Sequence, residues 1–119
     1  MSVTYPYTDY PIAVPQGARL AIPCWRTDSE GAYRNFATDT VVGEVRRYHD
    51  DVTPIAVFDC AVIDNPVTAI PGEAIEAVID AVTTEDLPPG VYFYSIEVTP
   101  ALGAEYRFRF FGGTLTITR

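Results

Sequence analysis

Residues 87–98 read Leu87-Pro88-Pro89-Gly90-Val91-Tyr92-Phe93-Tyr94-Ser95-Ile96-Glu97-Val98. Two consecutive prolines fix φ and the glycine after them is free of a Cβ, so Pro88-Pro89-Gly90 forces a sharp turn. Beyond it, Tyr92, Tyr94, Ile96 and Val98 alternate with Val91, Phe93, Ser95 and Glu97. A period of two places the first set on one face of a β-strand and the second set on the other.

The same pattern recurs on both sides of this strand. Downstream, Tyr106, Phe108 and Phe110 alternate with Arg107 and Arg109, and Gly112-Gly113 leads into Leu115 and Ile117. The glycine pair signals a bulge or tight turn. Upstream, Leu20, Ile22 and Cys24 share one phase, and Pro23 between them restricts that strand to an edge or a bulge. Thr27-Asp28-Ser29-Glu30-Gly31 reads as a turn, with Gly31 supplying positive φ. Val41, Gly43 and Val45 form the next strand, closed by the polar turn His49-Asp50-Asp51, and Ile55–Val62 the one after. Ala74–Val82 alternates as a strand, although its length and alanines are also compatible with helix. Thr83–Leu87 suits a single helical turn capped by a threonine. Strands at this spacing, separated by turn signals, predict an antiparallel β-sandwich of about seven strands. Tyr92, Tyr94, Ile96, Phe108, Phe110, Leu115 and Ile117 form its predicted core.

The chain of 119 residues is long enough for one domain. Its 48% hydrophobic and 20% charged residues argue against disorder. The formal charge is −8, with the acidic residues dispersed and every cation an arginine. Phosphate contact needs a basic patch, so nucleic acid is excluded as a partner. No run approaches the length of a membrane span, and the N-terminus lacks the basic start and apolar run of a secretory signal. Synthesis and folding in a cytoplasm are expected. Cys24 and Cys60 match no metal spacing. Both fall on inward phases and are expected as free thiols, with a 24–60 bridge as the alternative.

Residues 1–17 contain Tyr5, Pro6, Tyr7, Tyr10, Pro11 and Pro15. Proline denies this stretch ladder donors, which predicts an extended arm preceding a sandwich domain at 18–119. The arm is expected to lie on a neighbouring subunit and to leave its own domain's core complete without it. Tyrosines in such an arm carry large contact area on few rotatable bonds. Trp25, Phe93 and Phe111 fall on the outward phase of their strands. With Tyr5, Tyr7 and Tyr10 they make up the candidate interface.

Catalytic signatures are missing from the sequence. The single histidine, His49, sits in a polar turn and is read as solvated, and no Gly-x-Ser-x-Gly elbow occurs. Asp28, Glu30, Asp50, Asp51, Glu85 and Asp86 lack the spacing of a calcium loop. The expectation is a non-enzymatic protein with no cofactor and no bound metal.

Three segments in order carry a resemblance. Gly17 precedes an alternating strand that ends Trp25-Arg26-Thr27-Asp28-Ser29-Glu30-Gly31. The Leu87–Val98 stretch follows, and Gly113-Thr114-Leu115-Thr116-Ile117-Thr118-Arg119 closes the chain. Together, over roughly residues 16–119, they resemble small tailed-phage virion proteins, and are similar to the immunoglobulin-like N-terminal domain of phage baseplate upper proteins. The resemblance implies an immunoglobulin-like fold and a virion location after synthesis in the host bacterial cytoplasm. It also implies a structural role in capsid decoration or as a tail, baseplate or fibre adaptor. The expected partners are other virion proteins, of capsid or tail, and copies of the chain itself. A receptor- or carbohydrate-binding module facing a host-surface glycan is the alternative. The segment Asn35-Phe36-Ala37-Thr38-Asp39 stands where those proteins usually carry glycine and leucine. A domain ending at its last strand, without a larger C-terminal part, suits a decoration or an adaptor.

Overall fold

The computed structural model describes residues 8–27 and 30–119. Eight strands account for about half of them: β1 (Thr8–Asp9), β2 (Ile12–Pro15), β3 (Leu20–Cys24), β4 (Thr40–Arg46), β5 (Ala56–Ile63), β6 (Ala74–Ile79), β7 (Gly90–Thr99) and β8 (Phe108–Thr118). A short helix α1 (Ala81–Glu85) joins β6 to β7, and a 3₁₀ turn at Ala104–Tyr106 lies between β7 and β8. The chain is therefore all-β, as the period-two patterns indicate.

The strands hydrogen-bond in the order β1-β8-β7-β4-β5-β6-β3, with β2 also alongside β8. The sheet bends over its own core and is nearly closed into a barrel. The bend runs through β5, which changes partner along its length. Its first part pairs with β4 (Gly43 opposite Phe58) and its second with β6 (Asp59 opposite Val78). Each layer contributes its inward phase to one core. Val45, Tyr92, Tyr94, Ile96, Val98, Phe110, Leu115 and Ile117 come from one side, and Ile22, Cys24, Ile75, Ala77 and Ile79 from the other. Burial of this apolar surface is the main stabilising term. Strand β3 lies at the end of the strand order, an edge position where a proline such as Pro23 is tolerated.

The sheet is mixed, which corrects the expectation of a purely antiparallel sandwich. Strands β1 and β2 run parallel to β8, with Thr8 opposite Phe111 and Ile12–Pro15 opposite Leu115–Thr118. The expectation that residues 1–15 remain outside their own domain's core is corrected with it for the described part of the arm, residues 8–15. Val14 is buried in the core, and Gln16 Nε2 donates to the carbonyls of Glu85 and Leu87 at 2.9 and 3.1 Å. The prolines do not prevent this, because a strand pairing on one side needs its N–H groups on that side only. Tyr5 and Tyr7 lie outside the described residues.

The helix also begins earlier than predicted. Asp80, in extended conformation, caps it by accepting the Thr83 N–H at 2.8 Å, so the cap is aspartate where a threonine was expected. The buried Thr84 donates its hydroxyl to the Ala18 carbonyl at 2.7 Å and ties α1 to the start of β3. At the turn into β7, the Tyr92 hydroxyl donates to the Pro88 carbonyl at 2.6 Å. That bond spans the turn with a side chain whose ring is in the core.

Candidate functional site

Strand β8 does not keep its phase, and this shapes a groove on the outer face of the sheet. Ile96 faces Phe111 across the β7–β8 ladder, but Glu97 faces Arg109, so Phe110 is the extra residue of a bulge. Both Phe110 and Phe111 consequently turn toward the core. Phe110 is fully buried against Phe36, with ring centroids 5.2 Å apart, and Phe111 packs on Tyr10 and Tyr94. Phe111 is thus removed from the outward row of the candidate interface. After the bulge, Gly112 stands opposite Ser95 and presents no side chain there.

The result is a groove of about 330 Å³ on the outer face of β4, β7 and β8. Phe93, Ser95 and Glu97 of β7 form its floor, Arg109 and Thr114 of β8 one wall, and Arg46 and His49 the other. Arg46 reaches Glu44 at 3.0 Å and donates through Nε to the Asp51 carbonyl at 2.8 Å, which fixes its side chain across the wall. Glu97 lies 4.0 Å from the Arg107 guanidinium. His49 and Phe93 meet T-shaped, with centroids 5.1 Å apart. His49 is exposed, as read from its turn, but it also flanks this groove.

The remaining predicted interface residues that are described, Tyr10, Trp25 and Phe93, lie on different parts of the fold. Phe93 is half-buried on the outer face, Trp25 is 37% exposed just beyond β3, and Tyr10 is about half exposed at the β1–β2 junction. Exposed apolar side chains concentrate instead on the β4–β5 hairpin. Val42, Tyr48, Val52, Ile55 and Val57 are all exposed there, Val52 at 91%. Val57 shares the outward phase of β5 with Ile55 and Asp59, and so large an exposed apolar surface marks a contact site more often than a solvated face.

Cys24 is buried and Cys60 half-buried, and both are free thiols. Half-burial of Cys60 is less than its inward phase predicts. Burial, reinforced by the neighbouring Cys60, pushes the Cys24 thiol up to about 12. Burial and the nearby Asp59 raise Cys60 to about 11. Thiols so far from ionisation are poor nucleophiles and poor metal ligands. Among the described residues, no three His, Cys, Asp or Glu side chains gather in one place. Asn65 is buried in the β5–β6 loop, where its Oδ1 accepts the Val67 N–H at 2.9 Å and holds an Asx turn. No helix among the described residues is long and apolar enough to cross a membrane. No protein-family model matches the chain, and no curated protein matches it in sequence.

Proposed function

We propose that this chain is a non-enzymatic structural protein of a phage particle, an immunoglobulin-like module that works through contacts with other virion proteins and with copies of itself. The fold reading is supported by three features. A strand switches between layers at β5, the N-terminal strand lies parallel to the last one, and a tyrosine hydroxyl is bonded to backbone at the turn into β7. The phage assignment rests on the resemblance carried by the Trp25–Gly31, Leu87–Val98 and Gly113–Arg119 segments.

The observation that carries the contact role is the β4–β5 hairpin. Five large apolar side chains are exposed on it, and among the described residues β5 between Ala56 and Phe58 has a ladder partner only in β4. An apolar surface beside an unpaired strand edge is an aggregation hazard in a protein that works alone, and an attachment surface in an assembly. Replacing Val57 with arginine places a charge at its centre. The variant should keep its melting temperature while losing self-association, or incorporation into particles, measured by sedimentation and by mass spectrometry of gradient-purified phage. Unchanged assembly by a folded Val57→Arg protein would remove the hairpin from the account.

A further inference from the structure

The groove between β4, β7 and β8 sets an aromatic side chain, two guanidiniums, a carboxylate and two hydroxyls around one small space. We propose that it is a saccharide-binding site that takes one or two uncharged sugar rings. The inference stands apart from the virion reading, because it rests on the groove alone.

Size is the first argument. A volume of about 330 Å³ lies at the small end of ligand sites, which run to roughly 1,000 Å³. Chemistry is the second. A sugar presents a C–H face and a rim of hydroxyls, each of which both donates and accepts. Phe93, braced by the His49 ring, supplies the aromatic surface for the C–H face. Arg46 and Arg109 only donate, Glu97 only accepts, and Ser95 and Thr114 do both. That mixture matches hydroxyls and suits other ligands poorly. An anion entering the groove would meet the Glu97 carboxylate, and Arg46 is already paired with Glu44. An apolar ligand would strip water from charged groups and return no hydrogen bonds. Preorganisation is the third argument. Most of the lining belongs to strands whose register is fixed by ladders, and the void opposite Ser95 follows from Gly112 and the bulge at Phe110.

The test is nuclear magnetic resonance on the full ¹⁵N-labelled chain. Glucose, galactose, mannose and N-acetylglucosamine are titrated separately, with sodium acetate and inorganic phosphate as parallel arms, alongside a microarray of defined oligosaccharides. At least one sugar should shift the Phe93, Ser95 and Thr114 amides saturably at millimolar concentration and leave β3 and β6 unmoved. Phe93→Ala should weaken that binding about tenfold, as expected for loss of an aromatic partner. Thr114→Arg should fill the groove and abolish binding, and it serves equally if Phe93→Ala does not fold. Silence in both the titrations and the microarray would overturn the proposal. So would sugar responses confined to another face, or groove responses to acetate or phosphate alone.

Discussion

The hydroxyl of Tyr94 donates to the carbonyl oxygen of Tyr10 at 2.5 Å, although 84 positions separate the two residues. The Tyr94 ring is in the core, packed against Phe58 and Phe111, and its polar end reaches the junction between β1 and β2. A single side chain therefore joins the middle of β7 to the N-terminal strands across β8. Tyr94→Phe should keep the packing and lose the bond, at a cost of about 1–2 kcal/mol. Tyr94→Ala should cost about 3–5 kcal/mol, as for other large buried aromatics. Urea denaturation of the two variants separates the hydrogen bond from the ring.

The N-terminal strands carry weight of their own. Val14 is buried among core residues, and the β2–β8 ladder runs over four residue pairs. Val14→Ala should therefore destabilise the domain by about 2 kcal/mol. Deleting residues 8–15 should unfold it or lower its melting temperature sharply. A shortened chain with unchanged thermal stability would restore the picture of an arm that serves only a neighbour.

Gly43 sits in β4 directly against the core. A Cβ at that position would lie 2.8 Å from both Ile96 Cδ1 and Phe58 Cβ. Gly43→Ala should cost at least about 1–3 kcal/mol through overpacking, despite alanine's better intrinsic strand behaviour. Calorimetry showing a stabilised Gly43→Ala protein would mean that β4 and β5 separate more readily than their close approach implies.

The cysteines make stability depend on alkaline pH. Both thiols are raised above the ordinary value of 9.0, Cys24 to about 12 and Cys60 to about 11. Below about pH 8 the folded and unfolded chains hold both protons and the thiols contribute no slope. Above it the unfolded chain ionises first, so stability falls as pH rises from there toward 12. Cys24→Ser with Cys60→Ser should flatten that decline in urea midpoints measured across the alkaline range. Native protein at pH 8 should react slowly with iodoacetamide, and denatured protein should expose two reactive thiols.

Much of this architecture is written in residue order. Tyr92, Tyr94, Ile96 and Val98 alternate without interruption, and all four are buried. Pro23 marks β3 as an edge. The Gly112-Gly113 pair, expected as a bulge or tight turn, instead pairs regularly with Ser95 and Tyr94, and the bulge falls at Phe110. Other features depend on distant pairing. Phe111 is outward by simple counting from Phe110, and only the bulge against Ile96 and Glu97 turns it inward. Phe108, counted with the core, is only half-buried near the end of the same strand. Phe36 is fully buried from a loop, where no periodicity announces it. Pro11 and Pro15 argue against a central strand and say nothing against a one-sided parallel edge. The groove has no sequence motif at all, because its walls come from three strands brought together by register, with His49 from the turn after β4. The hairpin surface has no such signal, since Ile55, Val57, Ala61 and Ile63 make its outward phase apolar apart from Asp59.

The central claim is that this chain acts as a repeated structural part of a phage particle, held by its β4–β5 hairpin. A cryo-electron microscopy map of the intact particle tests it most directly. The account predicts density for this chain in many symmetry-related copies, with Val42, Ile55 and Val57 buried against a neighbouring subunit. Particles that lack the chain, or that carry it with this hairpin facing solvent in every copy, would contradict it.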